Sequence, residues 1–172
     1  MSASEAAFHI RPAREDDVPA ITRMYAFHVV YGTASWEYEP PGDEEMLKRM
    51  RAVVAQGYPY FVAEAGGAVA GYSYASTYRA RPGYRFTIED SVYVDGSYQR
   101  RGIARALLSA LIDRCGELGF QQMLAVIGDS ANTASIELHR SMGFRHVGTF
   151  TRIGFKHGRW LDSVQMQRTL RT

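Results

Sequence analysis

The segment Gln99-Arg100-Arg101-Gly102-Ile103-Ala104 follows the apolar run Val92-Tyr93-Val94 and opens a strong helical pattern. A glycine at a helix mouth removes side-chain bulk, so successive backbone N–H groups can converge on a phosphate at the positive end of the helix dipole. Arg100 and Arg101 add charge-assisted donors for the same anion. Taken alone, the segment also reads as a basic helix N-terminus with a capping loop. It carries neither the dinucleotide-type glycine fingerprint nor the lysine-serine or lysine-threonine of a Walker-type loop. Tyr78-Arg79-Ala80-Arg81 precedes the same apolar run, and its paired guanidinium groups suit a small carboxylate.

Other reactive side chains have structural readings beside chemical ones. Asn132 suits a helix cap. His139 has an imidazole that titrates near neutrality, yet a single histidine on a half-buried helix also reads as structural. Cys115 falls on the apolar side of its helix and reads as packing rather than as a nucleophile. The five histidines show no ligand spacing, so no metal is expected.

A chain of 172 residues with 46% apolar and 22% charged composition fits one globular domain spanning 1–172 and excludes coiled-coil, collagen-like and disordered classes. Twenty basic against eighteen acidic residues, scattered along the chain, give no stripe for nucleic acid. The lone thiol excludes an internal disulfide and points to a reducing, cytoplasmic setting. Neither a leader in Met1 to Ile10 nor a membrane-spanning run is expected.

The elements that position these residues follow from periodicity. A short strand is predicted at Phe8 to Arg11. A helix starting after Asp16 and Asp17 uses Ile21, Met24, Tyr25 and His28 as one face. A second helix runs from Asp43 to about Ala55 and stops at Gly57. Strands at Tyr60 to Glu64 and Val69 to Ala75 flank the Gly66-Gly67 turn, and a third strand covers Arg85 to Val94. The Gly102 to Leu118 helix ends at Gly119. Met123 to Ile127 reads as a buried strand and Ala134 to Met142 as a short helix. Arg145 to Arg152 and Asp162 to Leu170 complete an α/β (α+β) fold, a mixed and mostly antiparallel sheet of about seven strands flanked by about four helices.

The order of elements and the Gln99 to Ala104 segment together resemble the Q/R-x-x-G-x-G/A signature of GNAT acetyltransferases, with Ala104 in place of the commoner final glycine. Ile10-Arg11-Pro12-Ala13, Ala70-Gly71-Tyr72, Asn132 to Ile136 and His139 to Phe144 extend the likeness over nearly the whole chain. Thr87 to Val94, Ala125 to Gly128 and Gly154 to Asp162 are similar to the phosphinothricin and methionine-sulfoximine acetyltransferase branch.

The resemblance implies a GNAT fold and transfer of acetyl from acetyl-coenzyme A to the α-amino group of a small amino-acid-like acceptor, by direct attack in a ternary complex. It assigns Glu89 as base, directly or through water, where the residue alone reads as an exposed strand carboxylate. It assigns cofactor contacts to Val92, Tyr93, Val94, Arg100, Arg101, Gly102, Ile103, Ala104, Arg105 and Asn132, and makes His139 a candidate acid at a position where many relatives carry tyrosine. The acceptor site it implies is bordered by Trp36, Arg79, Ala80, Arg81, Glu89, Asp90 and Ser91. It further implies a homodimer, with no nucleic acid or membrane partner. Two alternatives stay open at this point: another amine as acceptor, such as a protein N-terminus, lysine or polyamine, and a non-catalytic acyl-coenzyme A sensor.

Overall fold

The computed structural model describes residues 7–171, so the reading of residues 1–6 as leader-free lies outside it. A seven-stranded sheet runs in the order β1-β2-β3-β4-β5-β7-β6. Its strands are β1 (Phe8–Pro12), β2 (Tyr60–Ala65), β3 (Ala68–Thr77), β4 (Thr87–Val94), β5 (Gln122–Gly128), β6 (Arg145–Lys156) and β7 (Arg159–Thr169). Every neighbouring pair is antiparallel except β4 and β5. Helices α1 (Val18–Tyr31) and α2 (Asp43–Ala55) precede β2; α3 (Ile103–Glu117) and α4 (Thr133–Ser141) flank β5 in the chain. This is the mixed, mostly antiparallel seven-stranded architecture with four α-helices expected from the sequence. Among the described residues no helix is long and apolar enough to cross a membrane.

Helix spacing decides which side of the sheet each helix covers. Val18, Ile21 and Met24 of α1, with Met46 and Met50 of α2, pack on Tyr60, Val62 and Tyr72. On the opposite face α3 buries Ile103, Leu107, Leu108, Leu111, Ile112 and Cys115. Burying a large aliphatic side chain stabilises a fold by about 1.5–3 kcal/mol, so this stripe alone anchors α3. Its first turns sit close on β3 because Gly71 has no Cβ, which would stand 2.9 Å from the Tyr93 carbonyl and 3.0 Å from Leu107 Cδ1. The N-terminal mouth of α3 is thereby held beside the end of β4.

The last two strands are longer than their periodicity predicts, with β6 reaching Lys156 and β7 starting at Arg159. Register shifts between Phe150 and Gly154, where Arg152 takes a φ of +50°, and pairing resumes at Gly154↔Leu161. The bulge breaks the alternation that reveals a strand in sequence. At the other end of β4, Arg85 and Phe86 lie outside the strand, after a 3₁₀ turn at Pro82–Tyr84.

Candidate active site

The sheet opens at its one parallel pair. Pairing between β4 and β5 runs only from Thr87↔Gln122 to Glu89↔Leu124, although β4 continues to Val94 and β5 to Gly128. Beyond Glu89 the peptide groups of β4 that point away from β3 have no strand to bond. Backbone donors and acceptors left open in this way are binding groups for an extended, amide-bearing ligand.

Two cavities meet at the opening. The smaller, of about 460 Å³, is walled by Tyr25, Ser35, Trp36, Glu37, Glu89 and Ser91, with Ala125 to Gly128 opposite. The larger, of about 670 Å³, runs from Tyr93 and Val94 to Arg100, Gly102, Ile103, Ala104 and Arg105 at the mouth of α3. Val92, Tyr93, Asn132, Ser135 and His139 line both. The larger cavity is lined both by apolar side chains, Val92, Val94, Ile103 and Leu138, and by the basic side chains Arg100, Arg105 and Arg159. Gly102 has a φ of +78° and Arg100 a φ of +59°, a left-handed run that caps α3 without any side-chain bond. An elongated ligand with a polyanionic end fits this donor set.

Glu89 is half-buried on the wall of the smaller cavity. Burial pushes its carboxyl up and the neighbouring Asp90 charge adds to the push, to about 7. A carboxyl that exchanges its proton at neutral pH is suited to general-base work. Asp90 points away from it and is buried, accepting a 3.1 Å hydrogen bond from His139 Nε2, while its second oxygen Oδ2 has no partner. His139 Nδ1 faces the Ser135 carbonyl at 2.8 Å. Both ring nitrogens thus face oxygen acceptors, and the imidazolium satisfies both. Burial pulls the His139 pKa down, but the Asp90 hydrogen bond and charge outweigh it and leave it raised. Asn132 caps α4, its side chain accepting from the Ser135 N–H at 3.3 Å.

The α1–α2 loop carries one wall of the smaller cavity. Tyr25 donates to Glu37, and Arg49 grips both Glu37 oxygens at 2.8 and 2.9 Å, holding that carboxyl below the usual range. Trp36, 37% exposed, lies between this pair and the strands. Sequence reading assigns Tyr25 only to the packed face of α1 and gives Glu37 no role. Their contact bridges a helix and a loop, which no local pattern announces.

The residues expected from sequence fall into two groups. Trp36, Glu89, Asp90, Ser91, Val92, Tyr93, Val94, Arg100, Gly102, Ile103, Ala104, Arg105, Asn132 and His139 line one cavity or the other. Arg101 is exposed and stands over the Tyr98 ring at 5.3 Å. Arg79, Ala80 and Arg81 line neither cavity; they sit in the exposed loop between β3 and β4, with the Arg79 guanidinium over the Tyr78 and Tyr84 rings. That loop begins just past Thr77↔Ile88, at the end of β4 that is still paired with β5, so the structure does not bring these three residues to the opening. Among the described residues no lysine or arginine lines the smaller cavity. No group of three or more His, Cys, Asp or Glu residues among them could hold a metal ion.

Comparison with known proteins gives consistent matches. A family profile described as an acetyltransferase (GNAT) domain matches residues 10–165. The chain is 50% identical over 161 residues to a phosphinothricin N-acetyltransferase of Alcaligenes faecalis, covering 94% of this chain and 82% of that one. It is 40% identical to the L-methionine sulfoximine/L-methionine sulfone acetyltransferase of Salmonella typhimurium, covering 94% of each. Among solved structures it superposes with a TM-score of 0.92 on a GNAT superfamily phosphinothricin acetyltransferase from Sinorhizobium meliloti in complex with acetyl-coenzyme A, at 47% identity over 94% of this chain and 88% of that one.

Proposed function

From the chain's membership of the GNAT acetyltransferase family, which makes it an acetyl-coenzyme A-dependent N-acetyltransferase, we propose that it acetylates the α-amino group of a small amino-acid-like acceptor of the phosphinothricin, methionine sulfoximine or methionine sulfone type. The observation that carries this reading is the half-buried Glu89 carboxyl on the wall of the smaller, acidic cavity, three residues along β4 from Val92, which lines both that cavity and the long cofactor-shaped one. Carboxylates on the wall favour an amine, and the small volume favours a compact one.

Acetyl-coenzyme A supplies the acetyl group as a thioester. The backbone of Val92 to Val94 and the mouth of α3 hold it, with Arg100 and Arg105 against its phosphates. Glu89 takes the proton that the amine must lose, directly or through a water, and free N–H groups of β4 stabilise the charge that develops on the carbonyl oxygen. His139, an imidazolium on the wall common to both cavities, returns a proton to the departing sulfur. Its Nε2 proton rests on Asp90, so donation exchanges that hydrogen bond for one to sulfur.

We propose that Arg79 and Arg81, on the exposed loop between β3 and β4, supply the cations that the smaller cavity lacks when an acceptor carboxylate is bound. Replacing both with alanine raises KM for amino-acid acceptors about 10- to 100-fold, the worth of a lost charge-assisted pair, and leaves KM for acetyl-coenzyme A unchanged. Steady-state kinetics on the double variant check this; equal KM values before and after would remove the two arginines from the site.

The proposed function is tested by coenzyme A release with phosphinothricin, methionine sulfoximine, methionine sulfone, spermidine and a lysine peptide. Selective turnover of the first three is expected, and selective turnover of spermidine or the peptide overturns the acceptor class. We propose also that the chain dimerises. Phe150, Ile153, Phe155 and Trp160 expose an apolar surface on the β6–β7 hairpin. Sedimentation at twice 19.3 kDa is expected, and a single 19.3 kDa species contradicts it.

A further inference from the structure

We propose that Gly154 is a specificity-determining residue: it sets how far the Trp36 indole stands back from the acceptor cavity, and therefore the longest acceptor side chain that fits. The inference rests on the acceptor reading of the smaller cavity. Gly154 lies on β6, outside both cavities, and its φ is not in the left-handed region, so its conformation does not call for glycine. Space does. A Cβ at this position would stand 2.1 Å from Trp36 Cζ3, 2.5 Å from Cε3 and 2.8 Å from Cη2. The six-membered ring of the indole therefore rests directly on the Gly154 backbone.

A methyl group there must displace the ring, because such separations are far inside van der Waals contact. The loop behind the indole leaves it little freedom to follow. Lys156 Nζ donates to the Ser35 carbonyl at 2.6 Å, Tyr38 donates to the Phe155 carbonyl, and His157 Nε2 meets the Gly32 carbonyl at 2.9 Å. Lys156 is itself buried, so its contact is not a casual surface one. At Gly128, on the end of β5, a Cβ would meet the Thr33 carbonyl at 2.1 Å and Trp36 Cζ2 at 3.6 Å. The loop is thus fixed to the β6–β7 hairpin on both sides of Trp36, whose indole rests on Gly154 and also lines the smaller cavity. Added bulk at residue 154 moves the indole toward the acceptor.

The test compares wild type, Gly154→Ala and Gly154→Ala/Trp36→Ala with α-amino acids of graded side-chain length, from alanine to methionine sulfone and phosphinothricin. Gly154→Ala is expected to lower kcat/KM for the longest acceptors at least about tenfold relative to the shortest, the scale on which a pocket discriminates one or two carbon atoms. Removing the indole in the double variant restores the long acceptors. Acetyl-coenzyme A affinity reports folding, since Gly154 lines no part of that cavity. An independent readout uses Trp160→Phe protein, in which Trp36 is the remaining tryptophan: Gly154→Ala shifts its emission and changes its quenching by acrylamide. An unchanged length profile together with unchanged Trp36 emission overturns the proposal, as does a double variant no better than the single one on long acceptors. If wild type acetylates none of the amino acids, the acceptor reading falls, while the Trp36 emission still decides whether Gly154 sets the ring.

Discussion

Glu89→Gln protein is expected to lose about 100- to 10,000-fold in kcat, the usual contribution of a positioned general base, while acetyl-coenzyme A still binds. The substitution keeps the shape and removes the proton acceptor on the wall of the smaller cavity. Because burial, with the Asp90 charge, lifts the Glu89 carboxyl to about 7, wild-type kcat/KM rises with pH and levels off above that value, and the variant loses this inflection. Stability moves the other way. The folded state holds the Glu89 proton at pH values where the unfolded chain releases it, so unfolding is favoured progressively as pH rises from about 4.5 to about 7. Relieving a partly buried carboxylate is worth about 1–2 kcal/mol after allowance for solvent. Glu89→Gln protein therefore melts higher than wild type at pH 8 and at the same temperature at pH 4. Denaturation curves at the two pH values check the sign; a variant that is less active and also less stable at pH 8 would mean that Glu89 is a structural carboxylate.

The second large effect lies behind Glu89, where the Asp90–His139 pair is 8% and 4% exposed. His139→Ala leaves the Asp90 carboxylate buried with neither oxygen paired, and breaking a buried pair on one side costs about 3–5 kcal/mol. For a chain of this size that corresponds to a fall in Tm of about 6–20 °C. The raised folded pKa of His139 gives the effect a pH signature. The imidazolium contributes in full below its unfolded pKa of about 6.5 and is lost as pH climbs through the folded value, so the gap between wild type and variant narrows in alkali. Asp90→Asn/His139→Leu removes both partners and is expected to be less destabilised than the sum of its single variants. Additive losses, with a gap independent of pH, would argue that the two side chains do not act as a pair. Catalysis falls as well in His139→Ala, because the variant has no imidazolium at the wall common to both cavities.

How far these features could be read from sequence depends on their range along the chain. The α3 pattern and the Gly102 mouth are local, since apolar spacing and a glycine at a helix start are written in adjacent residues, and both stand where they were expected. Glu89 is legible only through the resemblance of the strand that carries it, since the residue alone reads as an exposed carboxylate. The opening beyond Glu89↔Leu124 is not, because residues that pair and residues that splay have the same strand composition. Asp90 and His139 are 49 residues apart and meet only through packing of α4 against the sheet, so the sequence offers His139 as a lone histidine and hides its partner. The Glu37–Arg49 and Tyr25–Glu37 contacts, and the seat of Trp36 on Gly154, join elements in the same way. Arg79 and Arg81 show the converse. Their chemistry is evident in sequence, but they sit on an exposed loop that lines neither cavity.

The central claim, that Glu89 promotes transfer of acetyl to an amino-acid amine, is tested most directly by following ¹³C-acetyl from labelled acetyl-coenzyme A at pH 8 with methionine sulfone as acceptor. Formation of α-N-acetyl product in equal amount with free coenzyme A by wild type, and its near absence with Glu89→Gln, is the predicted result. Label released as free acetate, or product formed equally well by both proteins, would contradict it.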